Sequence, residues 1–241
     1  MNAQHVSTAD GNVPPLWFLA PEGFFALPIA ATPEERSERA LSFVRELYSR
    51  GDESIWDPAA PYYAAIAELM GATGVSYAAM GLFSTEETDV PDGQVIRHEP
   101  AEGIAQCSLT VAIAPTDQAG TDTDVVAQGI LATLSSDPYN NAIWLDLPCG
   151  PAVSCITLRE YDLSPEVSAS GEDTKLLTGQ IQVHVPFPTG PCTAIFTLYT
   201  ASMAHWSEIY RLMSAILETV SFVDPAEALD EEPTKDLPRK A

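Results

Sequence analysis

From residue 142 onward, this sequence contains strand-like segments that follow one another with no helical pattern between them. In one of them, Ile181, Val183 and Val185 alternate with the polar Gln182 and His184, which is typical of a strand with one buried face. Parallel neighbours need crossover connections that usually hold a helix, so this succession favours antiparallel pairing. The predicted strands are residues 75–83, 104–114, 142–147, 152–161, 176–187 and 192–200.

Four segments carry helical patterns, and they come before, between and after the strands. The first, residues 33–50, follows Thr32, and Glu35 completes a capping box with it. The others follow Asp57-Pro58 or span residues 124–135 and 203–219; in the second helix we expect the inward face to hold Tyr62, Tyr63, Ile66, Leu69 and Met70. The sequence predicts an α+β fold: a single-domain sandwich with a mostly antiparallel sheet of about six strands, covered by helices, with the C-terminal helix packed on the sheet.

The chain divides into one folded region and two polar ends. Residues 1–13 are polar and without periodicity, which predicts a disordered N-terminus. Residues 224–241 combine acidic residues with prolines and predict an acidic disordered tail. No repeat or linker interrupts residues 14–223, so we predict a single domain there.

The charge distribution is strongly one-sided. The chain has 34 acidic residues against 11 Lys and Arg, a net charge of 11 − 34 = −23. Within residues 51–158 the only cation is Arg97, against fifteen acidic residues. This charge disfavours nucleic acid and anionic membranes as partners. It has two interpretations: a general solubility trait, or an acidic face that steers a basic protein partner.

Targeting signals are not evident in the sequence. The first Lys or Arg is Arg36, and no apolar run approaches the about 18 residues that a membrane helix requires. We therefore predict no membrane association and a cytoplasmic location.

Two residues are candidates for chemistry. Ser76 lies in Gly74-Val75-Ser76-Tyr77-Ala78, where a nucleophile elbow would need a second glycine in place of Ala78, so a serine on a strand is the simpler interpretation. His184 lies on the polar face of its strand and would be a general base only beside an acidic neighbour. We assign no catalytic residue.

No cofactor or metal site is predicted. The histidines lack metal-ligand spacing, and the sequence has neither of the glycine-rich phosphate-binding motifs. Asp117, Asp122 and Asp124 do not match a calcium loop and are interpreted as capping and charging the third helix.

The four cysteines fit a reduced protein. Cys107 and Cys192 alternate with apolar residues and are predicted to be small core residues. Cys149 and Cys155 flank a Gly-Pro turn, and a disulfide or metal pair across that hairpin is the alternative.

The C-terminal third resembles a known superfamily. A hairpin of residues 176–187 and 192–200 leads into a long helix ending in Ile216-Leu217-Glu218-Thr219-Val220-Ser221-Phe222. This unit resembles the end of the PsbP-like superfamily, which includes the LpqN-like proteins, and the opening Pro14-Pro15-Leu16-Trp17-Phe18 is similar to uncharacterised actinobacterial proteins. The resemblance implies an α/β/α sandwich and an accessory or binding role, with no catalytic residues to carry over.

These observations favour a non-catalytic cytoplasmic binding or accessory protein that engages a protein partner through an acidic surface, as part of, or chaperone for, a larger bacterial assembly. Two alternatives stay open. One is a small hydrolase or ligand-binding enzyme with a site near Ser76 or His184, and the other is a structural subunit that forms homo-oligomers.

Overall fold

A computed structural model describes residues 2–6, 15–84, 104–116, 122–168 and 170–224. The strands are β1 (Asn2–Val6), β2 (Leu16–Ala20), β3 (Phe24–Ala26), β4 (Val75–Ser84), β5 (Ile104–Pro115), β6 (Asn141–Leu147), β7 (Gly150–Leu163), β8 (Thr174–Pro186) and β9 (Cys192–Thr200). The helices are α1 (Pro33–Leu47), α2 (Trp56–Ala72), α3 (Thr123–Leu134) and α4 (Trp206–Leu217), with short 3₁₀ turns before α2 and α4. None of these described helices is both long and apolar enough to cross a membrane.

The main sheet has seven strands in the order β3-β4-β5-β9-β8-β7-β6, and every neighbouring pair is antiparallel. The α+β prediction is confirmed, since β4 to β9 are the six predicted strands and α4 lies on the sheet. The seventh strand, β3, has only three residues, which is too short to show an alternating pattern.

The N-terminal segment differs from the prediction. Asn2–Val6 form β1 and pair with β2 in a separate two-stranded sheet, so the expectation of disorder is wrong for these five residues. The physical reason is that β2 offers an edge for backbone pairing, and such pairing depends little on side-chain pattern. The remainder of residues 1–13 and the predicted tail beyond Asp224 lie outside the described residues.

The principal core lies between the sheet, β2 and α4. Phe18 of β2 makes edge-to-face contacts with Tyr77 of β4 and Phe196 of β9, with ring centroids 5.1 and 5.5 Å apart. Ile209 and Met213 of α4 are buried in the same cluster. Contacts between distant segments of the chain therefore hold this side of the sheet together.

The helices α1, α2 and α3 supply the remaining cover. Helix α3 packs against β6, β7 and β8, while α1 and α2 pack on each other and against β3 and β4. Helix α1 begins as predicted, because the Thr32 hydroxyl accepts a hydrogen bond from the Glu35 backbone N–H at 3.2 Å.

The inward face predicted for α2 is wrong for three residues. Tyr62, Ile66 and Leu69 are exposed, with 73% of Tyr62 and 67% of Leu69 accessible, and the buried residue of α2 is Ala67. The helix contacts α1 through Tyr63, whose ring lies 4.7 Å from that of Phe43, and it buries Ala67, while the three exposed side chains face outward. Periodicity cannot separate these two faces, because α2 is apolar on both.

Candidate functional site

Ser76 lies within a strand, as its flanking residues indicated. The register of β4 against β5 shifts between Val75 and Tyr77, which places Ser76 at an irregularity of the strand. No strand-to-helix turn is present at this position, and none of the described residues hydrogen-bonds the Ser76 hydroxyl. Within the part of the chain that the structure describes, no base is in hydrogen-bond contact with this serine.

His184 lies on β8 in a cavity of about 410 Å³ beneath α3. The cavity is lined by Thr116, His184 and, from α3, Val126, Gly129, Ile130, Thr133 and Leu134. The ring Nε2 lies 3.1 Å from the Gln182 amide oxygen, and within the described residues no carboxylate forms an ion pair with the ring. Burial lowers the pKa of His184, so the imidazole is neutral at pH 7.

The two candidate residues are not brought together. The strands that carry Ser76 and His184 are separated by β5 and β9, so three strand spacings place them about 14 Å apart. A serine and its general base must be within hydrogen-bond reach, which this arrangement does not provide. Ser76 and His184 therefore do not form a hydrolase site together.

The cysteines are free thiols in separate surroundings. Cys107 is buried in the principal core, as predicted, and Cys192 is half-buried against it. Cys149 lies in the β6–β7 turn, whereas Cys155 faces Ala142 across the hairpin, five strand residues or about 16 Å beyond Gly150. The alternative of a Cys149–Cys155 pair is wrong. Cys149 lies in the turn, and Cys155 lies well along β7, where its partner across the hairpin is Ala142 and not Cys149.

We expect Cys107 to react more slowly in the folded protein than the half-buried Cys149 and Cys192. Burial raises the pKa of Cys107 to about 12, and the thiolate is the reactive form. Modification with a disulfide reagent, followed by peptide mass spectrometry, measures the four rates. Modification of Cys107 at the same rate as the half-buried Cys149 would contradict its place in the core.

An acidic surface runs along α3 and the edge strand β6. It contains the carboxylates of Asp122, Asp124, Asp137 and Asp146, and we call this group the acidic edge. None of the four takes part in the ion pairs of the described residues. The sequence has no Lys or Arg between Arg97 and Arg159, so α3, β6 and the part of β7 that pairs with β6 carry no cation.

Local hydrogen bonds fix three of these four carboxylates. Asp122 caps α3 by accepting from the Asp124 N–H at 3.0 Å, as the capping interpretation predicted. Asp137 accepts from the Tyr139 N–H at 2.9 Å, and Asp146 accepts from the Trp144 indole N–H at 2.8 Å. Asp117 lies outside the described residues. The charges are therefore held in place on short side chains.

Apolar side chains are exposed beside the acidic edge. Tyr139, in the turn before β6, is 88% accessible, and Ile143 of β6 is also exposed. β6 is the last strand of the sheet, and no described strand pairs with its outer side. The surface thus combines negative charge, exposed apolar groups and unpaired strand backbone, all of which can serve recognition.

The described residues contain no group of three or more His, Cys, Asp or Glu side chains arranged to hold a metal ion. The acidic edge is a distributed surface and not a chelating cluster.

Sequence reasoning located the acidic region but not its shape. The run without cations was visible along the chain, and it spans both helical and strand segments. Only the packing of α3 against β6 combines these charges into one surface with an open strand edge. No signal in the sequence indicated the edge itself: edge strands are commonly protected by charged side chains, Lys above all, and residues 142–147 contain no lysine.

No family model matches this sequence, and no curated protein matches it significantly. The similarity to the PsbP-like superfamily stays a prediction.

Proposed function

We propose that this chain is a non-catalytic binding protein that engages a basic segment of a protein partner at the acidic edge. The observation that supports this most directly is that, among the described residues, the four carboxylates form no ion pair and lie beside a strand edge that no strand covers. Electrostatic attraction would bring a basic segment to this surface, and backbone hydrogen bonds to β6 would hold it in an extended conformation.

The charge argument concerns Asp137 and Asp146 most directly, since they lie at either end of β6. Basic side chains of an added strand would approach these carboxylates, while its apolar side chains would contact Ile143 and Tyr139. Rim charges of this kind mainly accelerate association and set its salt dependence. Binding should therefore be weakened markedly by salt.

Self-association is the second candidate, because the same open strand could pair with β6 of another copy. The charges oppose it, since two acidic edges would then face each other. A protein whose mass rises with its concentration, and more so at high salt, would favour this second candidate over a basic partner.

The test is capture of partners from native lysate by the tagged protein at about 0.1 M and about 1 M salt, where the Debye length is about 10 Å and about 3 Å. A variant with Asp122, Asp124, Asp137 and Asp146 each changed to Asn keeps hydrogen-bonding side chains but loses four charges. We expect a basic partner to be captured at low salt by the natural sequence. Capture by the variant should fall at least tenfold.

A control variant removes the same charge elsewhere, with Asp162 and Asp173 changed to Asn and Glu166 and Glu172 changed to Gln. These residues lie at the far end of the β7–β8 hairpin, away from α3. The control should capture the partner as well as the natural sequence does. Equal loss of capture in both variants would assign the effect to net charge and refute the acidic edge as the binding surface. Capture of the partner that is equally strong at low and high salt would also refute it.

A further inference from the structure

A second cleft lies on the opposite side of the hairpin from α3, between α4 and the strands β6, β7 and β8. Helix α4 buries Ile209 and Ile216 in the core and packs mainly against β2 and β8, and a space remains between it and the end of the sheet formed by β6. The resulting space measures about 620 Å³, which is within the usual range for small-molecule sites. Its apolar walls are formed by Leu145 and Leu147 of β6, Ile181 and Val183 of β8, and Met213 and Leu217 of α4.

One buried polar group lines this cleft. Ser154 of β7 is only 4% exposed, and its neighbours across the strands are Ile143 and Val183. Its hydroxyl lines the cleft and makes no hydrogen bond to any described residue. A ligand atom in the cleft can therefore form a hydrogen bond with it in apolar surroundings.

The rim of the cleft is negative. Asp146 and Glu218 contribute carboxylates, and Glu218 follows the last residue of α4, where the helix dipole adds partial negative charge. The lining includes no Lys, Arg or His. An anionic ligand would be repelled, and the same applies to the chain's own tail, whose residues 227–232 include Glu227, Asp230, Glu231 and Glu232.

We propose that this cleft binds a small organic amine with an apolar body and a second hydrogen-bonding group at its far end. The apolar body contacts Leu145, Met213 and Leu217. The ammonium group lies at the rim near Asp146 and Glu218, and the far polar group bonds to the Ser154 hydroxyl. This cleft shares only Asp146 with the acidic edge, lies on the opposite side of the sheet from α3 and does not depend on a protein partner.

The test uses four probes that share a ring and a two-carbon chain: tyramine, phenethylamine, tyrosol and 4-hydroxyphenylacetate. Saturation-transfer NMR and chemical-shift titration of the full chain measure their binding. We expect tyramine to bind best at millimolar concentration. Phenethylamine, which lacks the phenol, should bind about fivefold more weakly, as expected for one lost hydrogen bond. The anion should show no binding.

Variants assign the contacts. Ser154→Ala should weaken the binding of tyramine about fivefold but leave the binding of phenethylamine unchanged. The reason is that the loss of the serine hydroxyl and the loss of the phenol hydroxyl remove the same hydrogen bond. Glu218→Gln should reduce the preference for tyramine over the uncharged tyrosol.

A filling variant tests the location of the site. Ser214→Phe places a ring in the cleft from the α4 side and should abolish tyramine binding, while Ser207→Phe, an exposed position of the same helix outside the lining, should not. The proposal is overturned if no probe binds, if the anion binds as well as the amine, or if Ser214→Phe keeps its stability and still binds tyramine.

Discussion

Replacement of Phe196 by alanine is expected to lower the free energy of unfolding by about 3–5 kcal/mol. Phe196 is fully buried at the centre of β9, and its ring contacts Phe18 from β2. Truncation removes the buried apolar surface of the ring and leaves a cavity between β2 and the sheet. The surrounding side chains can fill this cavity only in part. Urea or thermal unfolding of the variant measures the loss.

Tyr199→Ala is the matched control for this prediction. Tyr199 is an aromatic residue of the same strand three positions along, and it is exposed on the other face of the sheet. Its truncation should cost clearly less than that of Phe196. A cost for Phe196→Ala below about 1 kcal/mol, or equal to that of the control, would show that the side of β9 facing β2 and α4 is wrongly assigned.

Gly179→Ala is expected to destabilise the protein by about 1–3 kcal/mol, although alanine is a small residue. Gly179 lies inside β8, and a Cβ atom at this position would overlap the six-membered ring of Trp206 at the start of α4. The indole must move, and α4 begins at this residue. Thermal unfolding measures the effect on the stability of the whole domain.

Two further variants identify the cause. Gly71→Ala introduces the same methyl group into α2 with no other atom within 4 Å, and should stabilise the protein by about 0.5–1 kcal/mol because alanine favours a helix. In a Trp206→Ala background, Gly179→Ala should cost little, since the ring is gone. A similar loss of stability in both backgrounds would mean that overlap with the indole is not the cause of the destabilisation by Gly179→Ala.

The sheet was largely predictable because its pattern is local. In β8, Ile181, Val183 and Val185 alternate with polar residues, and this alternation is kept in the structure. The start of α1 was predictable for the same reason, since Thr32 and Glu35 are three residues apart and bond directly. β1 was missed because it is formed by pairing with β2, and Asn2–Val6 carry no pattern of their own.

The candidate site was less predictable than the fold. Ser76 and His184 were singled out by residue type, but the order of the strands decides that they are about 14 Å apart. The Ser154 hydroxyl carried no signal at all in the sequence. Its place in an apolar cleft results from where α4 crosses the sheet, which brings Met213 and Leu217 to the same cleft as the strand residues.

The sequence by itself determined the six strands β4 to β9, the helices, the antiparallel class and the run of unbalanced negative charge, because each depends on the identity and spacing of nearby residues. Tertiary structure alone decided which face of α2 is buried, which strand forms the open edge and which polar groups lie in clefts. Those properties depend on which elements become neighbours, and that is set by the summed burial of side chains distant along the chain, such as Phe18 with Phe196.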